Sequence, residues 1–237
     1  MDDKRLFELL HNTYERQRFY INNETPSITQ LQKSWPCLLH GKVLYWNYRR
    51  LMCQDLNQLE AGINIKIERM LEFARTKKLV KKIPTDINDQ HIELLRVLAK
   101  QFKERFEMIF KILPDRGHAE EVESLSPCII FAQDENKYIV VIEKIPINEG
   151  SGSFIGALKE FYACFFVFNM KYPSKANSTL EVLQRYFMKT HPDSGTKSTT
   201  YTKSKSAVIR FVQSFSDYVT VRYCHQNFIT NYNLEQH

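Results

Sequence analysis

The stretch from Ser126 to Thr190 constrains the fold more than any other part of this chain. A short apolar run at residues 128–131 is followed by turn residues at 134–136 and by a second run, 138–142, rich in Ile and Val. Two such runs around a short turn predict a β-hairpin. Residues 154–168 follow, and their second half is apolar on every side, which predicts a helix packed between two layers.

The same periodicity continues beyond this helix. Pro173 predicts the start of a last core helix, whose apolar residues recur at helical spacing: Ala176, Leu180, Leu183 and Phe187. Residues 191–206 are rich in Ser, Thr and Lys and predict a polar linker. A small amphipathic helix follows and needs a surface to dock on, either in this chain or in a partner; its apolar residues are Val208, Phe211, Val212 and Phe215.

The N-terminal half is predicted to be helical almost throughout. Asp2 or Asp3, Thr25 before Pro26, and Asp86 are helix-start signals. Residues 43–58 have helical spacing, and residues 87–113 predict one long helix because an apolar residue recurs every fourth position: Leu94, Leu98, Phe102 and Phe106.

The predicted fold class is α+β and mostly α-helical: an N-terminal array of about five helices, a β-hairpin packed with two helices, and a tethered C-terminal helix. Four regions follow: 1–117 as the helical region, 118–190 as the hairpin with its two helices, 191–206 as the linker, and 207–237 as the last helix and tail. Residues 1–117 also carry most of the positive charge, with 21 Lys and Arg against 15 Asp and Glu.

Several sequence features bear on where the protein is found. No run reaches the roughly 18 apolar residues of a membrane span, and the N-terminus lacks the apolar segment of a signal peptide. The five cysteines are an odd number without a disulfide pattern. We therefore expect reduced thiols and a nuclear or cytoplasmic protein, neither secreted nor transmembrane. Cys128 and Cys164 are predicted core residues, and Cys37 is the thiol to test for reactivity.

Reaction centres are not predicted. His191, Asp193 and Ser194 sit side by side in the linker, whereas the groups of a catalytic triad meet only in the folded protein. His118 lies among glutamates and Cys224 adjoins His225, but neither has the spacing of a zinc site. The sequence predicts no enzyme, no cofactor and no metal.

The basic run at residues 75–82 is the main candidate binding site. If it is helical, Arg75, Lys78 and Lys82 share one side with Lys77 and Lys81 beside them. Such a face could bind an acidic protein partner or a phosphate backbone. A solvated helix end is the third interpretation, because cations suit the C-terminal end of the helix dipole.

Four motifs taken in order resemble one family: residues 33–39 (KSWPCLL), 126–131 (SPCIIF), 161–173 (FYACFFVFNMKYP) and 178–187 (STLEVLQRYF). The order resembles the C-terminal region of the sterile alpha motif domain-containing protein three-like family, over about residues 5–218. The resemblance implies an animal protein with a link to mobile elements. It transfers no catalytic residue, and the sterile alpha motif itself is absent from this chain.

Together these features predict an intracellular, non-enzymatic protein-interaction module with an unidentified protein partner and no membrane association. The alternative is a nucleic-acid-binding accessory protein, derived from a mobile element, that uses Arg75, Lys77, Lys78, Lys81 and Lys82. A third alternative is an enzyme with a pocket beneath the loop from Gly150 to Gly156. The sequence carries no signal of oligomeric state.

Overall fold

A computed structural model describes residues 2–190, residue 197 and residues 206–221. The predicted His191, Asp193 and Ser194 cluster, most of the predicted linker and the Cys224 and His225 pair lie outside the described residues. The fold is α+β and mostly α-helical, as predicted. Within the described ranges, no helix combines the length and apolarity that crossing a bilayer requires.

The helices and strands follow one another in an order that mixes the two types only after residue 109. The helices are α1 (Asp3–Phe19), α2 (Ile28–Ser34), α3 (Gly41–Met52), α4 (Asn57–Asn64), α5 (Ile67–Thr76), α6 (Ile87–Phe102), α7 (Phe154–Val167), α8 (Asn177–Val182) and α9 (206–221). The strands are β1 (Phe110–Leu113), β2 (Cys128–Ala132), β3 (Lys137–Ile142) and β4 (Ile145–Pro146).

The chain forms two compact units, and each unit is discontinuous in sequence. The first takes its described residues from the stretch up to Leu56 and from Met108–Lys171. The second takes them from Asn57–Glu107 and from the described residues after Lys171. The chain therefore passes from one unit to the other three times. The four regions predicted from the sequence stay a prediction about domains.

The first unit is built on a four-stranded sheet in the order β1-β2-β3-β4. The predicted hairpin is confirmed: β2 and β3 are antiparallel, with Cys128 opposite Val141. Strand β1 joins the sheet in parallel with β2, with Phe110 opposite Ile129. The predicted helix over 87–113 was therefore too long. It ends at Phe102 because Lys103 adopts a left-handed conformation with φ of 57°.

Helix α7 lies between the sheet and α3, as its all-round apolar surface predicts. On one side Phe154 contacts Phe110 and Tyr138, with ring centroids 5.5 and 5.7 Å apart. On the other side Tyr48 of α3 meets Phe166 edge-on at 5.6 Å. Both layers are buried, so α7 is the centre of the first unit's core.

The second unit consists of α4, α5, α6, α8 and α9. Helix α8 starts at Asn177 instead of Pro173, because the carboxylate of Glu104 binds its first amides and fixes its N-terminus. Helix α9 docks on this chain through Phe211 and Phe215, whose rings lie 6.1 and 5.6 Å from that of Phe73 in α5. Of the two docking surfaces predicted for this helix, this chain or a partner, α9 uses this chain.

Candidate functional site

Helix α5 ends inside the predicted basic run. Its last residue is Thr76, Lys77 closes it, and Lys78 is left-handed with φ of 58°. The N–H of Leu79 then donates to the carbonyl of Ala74 over 2.9 Å. This is a helix ending in which the left-handed position usually belongs to glycine. The basic run is thus divided between a helix end and a loop.

The five predicted cations are all exposed, but they lie in different settings. Arg75 pairs with Glu72 one turn earlier, with 2.7 Å between Nη2 and Oε2. Lys77 lies over the ring of Phe73, with Nζ 5.5 Å from the ring centroid. The other three follow in the loop: Lys78, Lys81 and Lys82. The prediction of one shared helical face was wrong, because the helix ends before Lys78.

Lys77 also lines a groove bounded by α5, α6 and α9, with a volume of about 440 Å³. We call it the basic groove. It has an aromatic floor, a basic rim and a few neutral polar side chains. The residues that line it are Phe73, Lys77, Gln101, Phe102, Lys103, Ser178, Ala207, Arg210, Phe211 and Ser214.

The floor of the basic groove is a cluster of phenylalanine rings. Phe211 meets Phe73 and Phe102 edge to face, with centroids 6.1 and 5.6 Å apart. Phe73 and Phe211 are only 5% and 6% exposed. Phe73 and Phe211 therefore leave little ring surface for a ligand, and the half-buried Phe102 is the most accessible ring of the floor.

The rim takes one cation from each of three elements. Lys77 closes α5, Lys103 closes α6, and Arg210 projects from α9 while its Nε donates to the carbonyl of Ser206 over 3.3 Å. Among the described residues, no carboxylate lines the groove. Clustered cations beside a low-dielectric floor create a positive potential that attracts anionic groups.

Glu104 is the carboxylate closest in sequence to the rim, and it binds the N-terminus of α8. Glu104 follows Lys103, but its Oε1 accepts from the Ser178 N–H over 2.6 Å and its Oε2 from the Thr179 N–H over 2.9 Å. The Thr179 hydroxyl donates to the same Oε2 over 2.8 Å. Since an anion at a helix N-terminus is stabilised by the exposed amides there, Glu104 is held at α8 and does not neutralise the groove.

A hydrogen bond ties the basic loop to the groove. Lys100 Nζ donates to the carbonyl of Leu79 over 3.2 Å. Leu79 lies in the loop that carries Lys78, Lys81 and Lys82, and Lys100 immediately precedes the groove residues 101–103 at the end of α6. The hydrogen bond therefore holds the loop beside the C-terminal end of α6.

Sequence reasoning missed Lys103 and Arg210. They are separated by more than 100 residues, and no spacing rule connects a helix end with the polar side of a later amphipathic helix. A usable signal was the apolar face of α9, because a helix that docks on its own chain brings its flanking polar residues to the same surface.

Metal-ligating clusters are not found in the part of the chain that the structure describes: no three His, Cys, Asp or Glu side chains there are placed to share an ion. His118 lies in a short 3-10 helix and its Nδ1 is 3.0 Å from Asp115 Oδ1. This hydrogen bond raises the pKa of His118 and lowers that of Asp115.

The four described cysteines are free thiols in three kinds of environment. Cys128 and Cys164 are buried, which confirms them as core residues, and burial raises the pKa of Cys128 to about 12. Cys37 is half-buried, and loss of solvent raises its pKa too. Cys53 is exposed after the end of α3. Cys53 and not Cys37 is thus the thiol best placed for reaction, because access to solvent governs reactivity and Cys53 is the exposed one of the two.

We expect native protein carrying Cys224→Ser to react with iodoacetamide first at Cys53. Cys128 and Cys164 should react at least about 100-fold more slowly, because a raised pKa leaves little thiolate. Peptide mass spectrometry over a time course measures the four rates, and a urea-unfolded sample is the control in which they should converge. Equal native rates at Cys53 and Cys128 would contradict the buried position of β2.

Comparisons with known proteins give no relative for this chain. No protein-family model matches it. No curated protein and no solved structure matches it either. The resemblance to the sterile alpha motif domain-containing protein three-like family therefore stays a prediction.

Proposed function

We propose that this chain is a non-enzymatic protein-interaction module whose basic groove binds an acidic, partly apolar segment of a partner protein. One observation carries the proposal: Lys77, Lys103 and Arg210 come from three separate elements to surround an apolar floor. Carboxylates of a partner would pair with the rim, and an apolar side chain would lie against the half-buried ring of Phe102. Charge complementarity of this kind sets partner choice and association rate.

The alternative is nucleic-acid binding, and the loop cations Lys78, Lys81 and Lys82 favour it because phosphate contacts need only clustered cations. The floor favours a protein partner instead. Binding of single strands usually relies on several aromatic rings with an open face on which bases stack. Two of the three floor rings, Phe73 and Phe211, are packed edge to face and buried, and only Phe102 is half-buried. We therefore rank the acidic protein segment first.

The proposal includes an intracellular location, nuclear or cytoplasmic. Its support is that the described cysteines are all free thiols, which is the usual state in a reducing compartment. We also propose kinship with the sterile alpha motif domain-containing protein three-like family, on the ordered motifs of the sequence.

The test is a fluorescence-anisotropy titration with a labelled peptide of alternating Asp, Glu and Leu. We expect binding by the native protein and about tenfold weaker binding by a groove variant, Lys77→Ser with Lys103→Ser and Arg210→Ser. Each exposed ion pair contributes about 0.2–1 kcal/mol, and about 1.4 kcal/mol corresponds to a factor of ten. A loop variant, Lys78→Ser with Lys81→Ser and Lys82→Ser, should lose less.

A matched control removes three exposed cations from the first unit: Lys4→Ser with Arg5→Ser and Lys33→Ser. It has the same net charge as the groove variant and should bind the peptide like the native protein. Labelled single- and double-stranded DNA and RNA are titrated in parallel at about 50 and 200 mM salt. Tight, salt-dependent oligonucleotide binding lost in the loop variant, without peptide binding, would replace the proposal with its alternative.

A further inference from the structure

A second cavity lies entirely within the first unit and is independent of the basic groove. Its volume is about 520 Å³, within the range of roughly 300–1,000 Å³ typical of small-molecule sites. It lies where the chain leaves β4, at the loop that contains Gly150, and opposite the start of α3. The ionisable side chains in its lining are His40, Arg116, Glu149 and Glu160, and Gly41 and Asn148 lie beside Glu160.

Glu160 of α7 is fixed at the cavity by one neutral donor. Asn148 Nδ2 donates to Glu160 Oε2. The amide cannot turn round, because Asn148 Oδ1 accepts from the backbone N–H of Val140 over 3.2 Å. The strand β3 therefore sets the orientation of the amide, and the amide sets the orientation of the carboxyl group.

The second oxygen of Glu160 faces Gly41. A Cβ atom at position 41 would stand 2.8 Å from Glu160 Oε1, closer than side chains normally approach. Glycine at the first position of α3 thus makes room for this oxygen. No described residue donates a hydrogen bond to Oε1, and Glu160 lines the cavity. Burial also raises the pKa of Glu160, because the carboxylate has lost much of its water.

Arg116 lines the same cavity but does not pair with the carboxylate of Glu160. Arg116 Nε lies 2.9 and 2.8 Å from the two carboxylate oxygens of Glu135, and its Nη2 donates to the carbonyl of Glu149 over 3.3 Å. Its guanidinium is therefore already neutralised by Glu135. The carboxylates left over at the cavity are Glu160 inside and the exposed Glu149 at its edge.

We infer that this cavity binds a small organic cation, whose ammonium or guanidinium group donates to Glu160 Oε1. Two observations point to a cationic ligand. Two carboxylates and one arginine line the cavity, and Glu135 already pairs with that arginine. One oriented carboxylate oxygen accepts a hydrogen bond from no described residue. A cationic donor would replace the water that Glu160 has lost and form a charge-assisted hydrogen bond, the stronger kind.

The experiment is isothermal titration calorimetry of the full chain with 1,4-diaminobutane and, separately, agmatine. Butane-1,4-diol is the neutral control of matched length. We expect both cations to bind and the diol not to bind at up to about 10 mM, where a complex with a Kd near 1 mM would be almost saturated. Nitrogen-15 NMR should show the side-chain amide of Asn148 shifting on addition of either cation.

Two variants test the assigned atoms. Glu160→Gln keeps the shape and removes the charge, and it should weaken cation binding by about ten- to a hundredfold. Gly41→Ala places a methyl group against Oε1 and should weaken binding at unchanged charge. Glu8→Gln, an exposed acid of α1, is the control and should change nothing. The inference is overturned if neither cation binds, if the diol binds equally, or if folded Glu160→Gln binds like the native protein.

Discussion

Replacing Glu181 with Leu is expected to lower the free energy of unfolding of the second unit by about 3–5 kcal/mol. Glu181 is 1% exposed, and Arg185 Nε donates to its Oε2 one turn later along the same segment. Removal of the carboxylate leaves the buried guanidinium without its counter-charge. The desolvation cost of that cation is then uncompensated, and this makes the loss large.

The double variant Glu181→Leu with Arg185→Met should recover most of that loss. When a buried ion pair is replaced by apolar residues of similar volume, the change is often neutral or stabilising. The control is Glu72→Leu in the more exposed pair with Arg75, whose side chains are 30% and 55% exposed, and the loss there should be well below that of Glu181→Leu. Urea titrations followed by hydrogen exchange at α6 and α8 measure all three. A single variant no less stable than the double variant would contradict a buried ion pair.

Replacing Phe161 with Ala should lower the free energy of unfolding of the first unit by about 3–5 kcal/mol. Phe161 is fully buried on α7 and meets Phe165 edge to face, with centroids 5.2 Å apart. A close-packed core between two layers collapses only partly onto the space left by a lost ring. The cost therefore includes a cavity as well as the lost burial.

Both tryptophans, Trp35 and Trp46, belong to the first unit, so tryptophan fluorescence in a urea titration follows this unit specifically. The control is the same substitution at Phe19, whose ring is 63% exposed. Phe19→Ala should change stability by no more than about 0.5 kcal/mol. If the two variants unfold at the same urea concentration, α7 is not the core of this unit.

The sequence predicted those parts of the fold that local pattern decides. The hairpin and α7 follow from continuous apolar runs, and Asp86 caps α6 as predicted, accepting from the amides of Asn88 and Asp89. Strand β1 was missed because residues 110–113 continue the helical spacing of α6, while their partner in the sheet is β2, beyond an intervening 3-10 helix. Pairing with a distant strand is tertiary context, and it overrides local propensity.

The candidate site was predicted only in part for a related reason. The cations at 75–82 are visible in the sequence, but the end of α5 is not. The helix ends at a left-handed Lys78, and a left-handed position of this kind is usually recognised in a sequence by a glycine. The rim of the basic groove needs Lys103 and Arg210, which only the folding of α9 onto α5 and α6 brings together. Similarly, Glu160 and its neighbour Lys159 are simply the two charges of an otherwise apolar helix until Gly41 and Asn148 are placed beside Glu160.

Because the chain crosses between the two units three times, the units cannot fold one after the other during synthesis. The first unit cannot close its core until α7 has emerged, although α1 to α3 are made first. Helices α4 to α6 must then wait for α8, which at 5–20 residues per second takes about 4–15 s after residue 107 appears. During that time α5 and α6 expose the apolar faces that α8 and α9 later cover. We therefore expect chaperones to bind most strongly to a nascent chain that is stalled before α8.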